Sequence, residues 1–138
     1  YYRDFLPELV GQDDALVRQV HDDKIAIFPQ YYHLVRPNAA LFALLDAIAP
    51  AYHIALVSTA SKQGVLDILR RFGHGEKFEL ILTQQDVPRK KPAPDGFLAA
   101  MAHFGVDAAD TIIFEDAPEG IEAARRAGAQ CLTVPFIR

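Results

Sequence analysis

Two adjacent carboxylates, Glu115 and Asp116, end a run of apolar residues, Ile112, Ile113 and Phe114. A β-rich run without polar alternation predicts a strand covered on both faces. Pro118 stands where a first helical turn tolerates proline, and Gly128 stands where that helix would stop. The two acids therefore lie at the carboxyl end of a strand, at the mouth of a strand-to-helix turn, where open α/β sheets bind ligands. By itself the pattern also suits a cap: Asp116 would accept from first-turn amides, and Glu119 would add charge at the positive helix end.

Two further groups of residues could join them. Ser58 and Ser61 sit together in "LVSTASKQG", again at the end of an apolar run and just before a helical pattern. Hydroxyls and amides at such a turn hold anions, phosphate above all, although a serine there also serves as a plain helix cap. In "RKKPAPDGF", Pro92 biases Lys91 toward an extended backbone and Pro94 opens the next helix, so Lys91 is a fixed positive charge. Arg89 and Lys90 suit a solvated loop better. A hydroxyl, a lysine and an acidic pair thus reach one rim. That set can hold phosphate oxygens and a Mg²⁺ ion, which takes oxygen ligands and shares coordination with phosphate.

The elements that must position these groups alternate from residue 37 onward. "PNAALFALLDAIAP" puts Leu41, Leu44, Leu45 and Ile48 on one helical face. "HIALVS", "FELILT", "TIIFED" and "QCLTVP" read as strands; "KQGVLDILRRFG", "PDGFLAAMAHFG" and the segment from Pro118 to Ala127 read as helices. This alternation predicts an α/β fold with a Rossmann-like parallel sheet and helices on both faces. Residues 1–36 differ: "DDALVRQVHDDKIAIFPQYYHLV" is helical in pattern, starts at Asp13 and Asp14, and is interrupted at Pro29. They predict a small helical part, with the α/β core over residues 37–138. The opening "YYRDFLPELV" reads as the middle of an amphipathic segment.

Composition narrows the function classes. A formal net charge of −4 without an offsetting basic face argues against nucleic acid as a partner. One cysteine, Cys131, excludes an internal disulfide framework, fits a reducing, cytoplasmic setting, and reads as a packed strand residue. No apolar stretch is long enough to span a bilayer. Metal spacing is absent among the five histidines; His53 and His103 read as structural or exposed. There is no Gly-x-Ser-x-Gly elbow and no P-loop, which removes a serine hydrolase and a nucleoside-triphosphate site.

The chain resembles the haloacid dehalogenase-like hydrolase superfamily, in its phosphoglycolate phosphatase and β-phosphoglucomutase-like branch. "ALVSTAS" is similar to the second motif, "RKKPAPDGF" to the third and "IIFEDAPEGIEAARRAG" to the fourth. The resemblance implies a Mg²⁺-dependent phosphatase acting on a small phosphorylated metabolite through an aspartyl-phosphate. It implies Ser58 and Thr59 as substrate-binding residues, and Lys91 as the lysine that steadies nucleophile and phosphoryl group. Asp116 would be the direct metal ligand, and Glu115 a ligand through water. Residues 1–36 resemble the tail of that branch's helical cap. The first motif, an apolar strand ending in Asp-x-Asp-Gly, is absent from these 138 residues. With it go the nucleophile, the acid/base aspartate, the main metal carboxylate and the first central strand. Cutting of the sequence downstream of that motif is the expected reason. The remaining strands are expected in the order 3-2-1-4-5 with strand 1 missing, and the chain alone is expected to be inactive. Lys91→Ala is expected to lower turnover and leave folding intact. The alternatives are a non-catalytic phosphate-binding or regulatory relative, a phosphosugar mutase, and a 2-haloacid dehalogenase, which needs no Mg²⁺ and suits the acidic pair poorly. Neither the substrate nor the oligomeric state is set by the sequence.

Overall fold

The computed structural model describes residues 8, 11 and 13–134. The amphipathic reading of the first ten residues falls outside them except at Glu8. The chain forms two compact units, residues 1–36 and 37–138.

In the first unit, helix α1 (Asp14–Ile27) begins where the paired aspartates predict. Asp13 is the N-cap, and its Oδ1 accepts from the amides of Ala15 at 2.8 Å and Leu16 at 3.2 Å, which satisfies two of the orphan donors of the first turn. The helix stops at Ile27, two residues before Pro29, whose ring suits only a first turn, and a 3₁₀ helix (Phe28–Leu34) follows with that proline in its first turn. Inside it the Phe28 ring meets Tyr32 edge-on at 5.4 Å.

The second unit runs α2 (Ala39–Ile48), β1 (Ala55–Val57), α3 (Lys62–Arg71), β2 (Leu80–Leu82), α4 (Asp95–Phe104), β3 (Ile112–Glu115), α5 (Pro118–Ala127) and β4 (Gln130–Thr133). All pairing is parallel. Ala55, Leu56 and Val57 lie opposite Leu80, Ile81 and Leu82; Ile112 through Glu115 lie opposite Gln130 through Thr133. The strands are shorter than the apolar runs that announce them. Among the described residues they make two separate two-stranded ladders, β1 with β2 and β3 with β4, and β1 does not pair with β3.

The helix faces follow from spacing. On α5 the buried residues are Gly120, Ala123, Ala124 and Ala127, an i, i+3, i+4, i+7 stripe; on α3 they are Val65 and Leu69, one turn apart. The main cluster joins Phe97 and Met101 of α4, Ile113 of β3 and the three alanines of α5, with Val57 and Cys131 packed against it. Cys131 is therefore partly buried, as its apolar neighbours predict. Ala123 and Ala124 are wholly buried; small side chains there let α5 lie close upon the strands. Gly105 ends α4 and Gly128 ends α5, both in the left-handed region with φ of 67° and 79°, a conformation that costs glycine nothing.

Candidate active site

Lys91 is the joint between the two ladders. Its Nζ donates to Oε2 of Glu115 at 2.5 Å and to the carbonyl of Val57 at 3.0 Å, and it lies 4.7 Å from the centroid of the Phe97 ring. One ammonium thus meets the last residue of β1 and the last residue of β3. Both side chains of the ion pair are nearly buried, Lys91 at 12% exposure and Glu115 at 10%. Burial pushes the Glu115 carboxyl up, yet the Lys91 ammonium and the amides of Ala117 and Asp116 outweigh it, and the net direction is down.

Two glycines make this geometry possible. A Cβ on Gly120 would stand 2.1 Å from Cδ of Glu115, and one on Gly96 would stand 2.6 Å from Cγ1 of Val57. Glycine early in a helix costs about 1 kcal/mol against alanine, so each needs a reason, and the reason is close approach to a strand end. The sequence carried a signal: both helices open on proline, an acid and glycine, at residues 94–96 and 118–120.

Glu115 and Asp116 have different surroundings. Glu115 Oε1 accepts from the amides of Asp116 and Ala117, both at 3.2 Å. Ala117 is the N-cap of α5 and contributes no side-chain cap, so the capping alternative for Asp116 is not realised. Asp116 is exposed, and its carboxylate is left available at the helix mouth.

On β1, the Ser58 amide donates to the Leu82 carbonyl at 2.9 Å and carries the ladder one residue past the strand. Its Oγ accepts from the Ala60 amide at 3.1 Å. Ser61 is the N-cap of α3, with Oγ accepting from Gly64 at 3.2 Å. The two serines therefore divide the work: Ser61 caps and Ser58 shapes the turn. Ser58, Thr59 and Lys91 line one cleft together with Arg89 and Lys90. Glu115 and Asp116 are not part of that lining, although Lys91 links Glu115 to it. Away from the cleft, His53 precedes β1 and its Nδ1 pairs with Glu79 Oε2 at 2.9 Å; the His103 ring sits edge-on to Phe104. Both are exposed, one of the two outcomes expected of them.

No group of three or more His, Cys, Asp or Glu is placed to share a metal ion among the described residues. Mg²⁺ takes six oxygen ligands in near-octahedral array. Asp116 fits that role, while Glu115 has one oxygen committed to Lys91 and the other to two amides. The acids present here therefore do not make a complete Mg²⁺ site.

The sequence left out a set of polar contacts at the end of β2. Thr83 is 1% exposed, and its amide and Oγ1 both donate to Asp86 Oδ2, at 2.9 and 2.8 Å. These are local bonds, three residues apart, outside the three motifs, and Asp86 also accepts from Lys62, 24 positions away.

The family model for haloacid dehalogenase-like hydrolases matches residues 8–134. Protein CbbY of Rhodobacter capsulatus is 39% identical over 133 residues, 91% of this chain and 58% of that protein. Phosphoglycolate phosphatase of Thiobacillus denitrificans is 33% identical over 88 residues, 64% of this chain and 39% of the enzyme. The crystal structure of CbbY from Rhodobacter sphaeroides in complex with phosphate superposes with a TM-score of 0.74 at 27% identity, covering 88% of this chain and 56% of that one. Three curated phosphatases similar to it are matched over only 37–39% of their own lengths.

Proposed function

The chain belongs to the haloacid dehalogenase-like hydrolase family, and from that premise we propose that it supplies the phosphate- and lysine-bearing part of a Mg²⁺-dependent phosphatase for a small phosphorylated metabolite. The observation that carries the reading is Lys91, which meets the ends of β1 and β3 and lines the same cleft as Ser58 and Thr59. An ammonium has three donors. Two are taken by Glu115 and the Val57 carbonyl, and the third is free for a phosphoryl oxygen. Ser58 Oγ and the amides of its turn supply further donors on the other side of the cleft. In so sheltered a place a fixed positive charge acts more strongly on developing phosphoryl charge than it would in water.

In this reading Ser58 and Thr59 bind the substrate phosphate, Lys91 steadies it and the attacking carboxylate, Asp116 ligates Mg²⁺ directly and Glu115 does so through water. Bound Mg²⁺ would neutralise phosphate charge. Residues 1–36 belong to a helical cap that sets substrate choice, and the setting is cytoplasmic. Hydrolysis through an aspartyl-phosphate needs a carboxylate in line with phosphorus, and Asp116 would lose its metal if it attacked.

The test is a phosphatase assay on the 138 residues and on the same chain joined to a preceding apolar strand that ends in Asp-x-Asp-Gly. Mg²⁺-dependent turnover is expected only from the joined form. Turnover by the 138 residues that Asp116→Asn abolishes would show that the nucleophile is misassigned. Phosphate binding without turnover in the joined form would favour a non-catalytic phosphate-binding relative.

A further inference from the structure

Asp86 stands outside the three motifs, yet four hydrogen bonds converge on it and its neighbour. Its Oδ2 accepts from the amide and the hydroxyl of buried Thr83. Its Oδ1 accepts from Lys62 Nζ at 2.9 Å, and Oε1 of Gln85 accepts from the Lys62 backbone amide at 2.9 Å. Lys62 is the first residue of α3, next to the Ser61 cap and four residues beyond Ser58. The turn over residues 58–61 is thus fixed at both ends. The ladder bond from Ser58 to Leu82 holds its start, and the loop after β2 holds its finish through Lys62.

We propose that Asp86 and Lys62 form a positioning pair that holds the phosphate turn over residues 58–61 in its binding shape. The proposal rests on the reading of that turn as a phosphate site. Lys62 is absent from the cleft lining, and its ammonium is directed to Asp86. The Lys62 ammonium first, and then the Thr83 hydroxyl and amide, lower the Asp86 carboxyl to about 2. The Asp86 carboxylate therefore stays ionised throughout the range in which a phosphatase works.

The two possible roles of Lys62 predict opposite signs. A lysine that ligated phosphate would be released by Asp86→Asn, and phosphate would bind more tightly. A positioning lysine would lose its anchor, and phosphate would bind less tightly. The experiment is titration of the 138-residue chain with inorganic phosphate, followed by backbone amide NMR, together with hydrogen exchange in the phosphate-free protein. Asp86→Asn and Lys62→Gln should each raise the phosphate dissociation constant roughly threefold to tenfold, the range of one or two net hydrogen bonds. The double variant should be no worse than either single one, and Lys62→Arg should restore most of the loss. Without phosphate, Asp86→Asn should shift the amide signals of Thr59, Ala60 and Ser61 and speed exchange at the Lys62 amide about tenfold. Tighter phosphate binding in Asp86→Asn, or unmoved amide signals and exchange, would overturn the proposal. If Ser58→Ala and Lys91→Gln leave phosphate binding as it was, the phosphate reading fails, while the amide and exchange measurements still decide whether the pair shapes the turn.

Discussion

The end of β1 and the end of β3 are held by different physics. At β1 the turn is tied to its neighbour by polar contacts across two loops, from Ser58 to Leu82 and from Lys62 to Asp86 and Gln85. At β3 the fastening is one nearly buried ion pair, Lys91 with Glu115, and a helix pressed close by Gly120 and three buried alanines. A hydrogen-bonded turn can yield by small steps. A charge sealed under a helix cannot. Ser58 and Thr59 thus stand on the more adaptable side, and Lys91 and the acids stand on the stiffer one.

The largest effect is expected where the stiff side loses its cation. Lys91→Ala leaves a nearly buried carboxylate without its cation, and a loss of about 3 kcal/mol at pH 7 is expected from thermal or denaturant unfolding. The Glu115 contact sets this expectation against the one from sequence alone, that Lys91→Ala lowers turnover and leaves folding intact, and unfolding of the variant decides between them. In the intact chain the Glu115 carboxyl is held below its ordinary value of 4.5. Its stabilising contribution is therefore complete above that value and is lost as pH falls through the lower folded one. Without Lys91, burial dominates and pushes Glu115 up, so the variant recovers by taking a proton. The gap between the two proteins should narrow as pH falls from 7 to 4; a constant gap would mean that Lys91 stabilises through packing on Phe97 instead.

The sequence shows the order of elements because that order rests on local signals: Asp13 as a cap, Pro118 in a first turn, Gly105 and Gly128 as stops. It also brings Ser58, Lys91 and Glu115 to one rim. Three things escape it. The strand lengths escape because pairing, not apolar character, decides where a ladder ends, and among the described residues β1 and β3 each pair on one side only. The direct bond from Lys91 to Glu115 escapes because the motif pattern assigns each to a ligand rather than to the other. The bond from Lys62 to Asp86 escapes because nothing in a single sequence marks a partner more than twenty positions away.

Glycine substitutions sharpen the contrast. In an exposed helix Gly→Ala stabilises by about 0.5 to 1 kcal/mol, so the sign is diagnostic. Gly120→Ala drives a methyl group into the Glu115 carboxyl, and a loss of about 2 to 3 kcal/mol is expected. Gly96→Ala presses closely on one methyl of Val57 and touches one of Val87, ends of side chains that can shift; a loss of about 1 kcal/mol is expected. Equal losses at the two sites, measured by denaturant midpoint, would show that the sides are equally stiff.

The smallest effect belongs to the rim. Arg89 makes a two-pronged pair with Asp95, both contacts at 3.0 Å, and the geometry invites the view that it braces α4. Its side chain is 72% exposed, however, and water and salt screen such a pair heavily. The Asp95 carboxyl is held below its usual range first by the Arg89 hydrogen bond, yet Asp95 also sits in the first turn of α4, where the positive helix end favours it without any arginine. Arg89→Ala should therefore move the melting temperature by less than about 2 °C, with even that shift fading in high salt. A larger, salt-independent drop would mean that the third element, α4, is fastened to its loop by polar contacts in the manner of β1, and the division between a hydrogen-bonded side and a packed side would have to be redrawn.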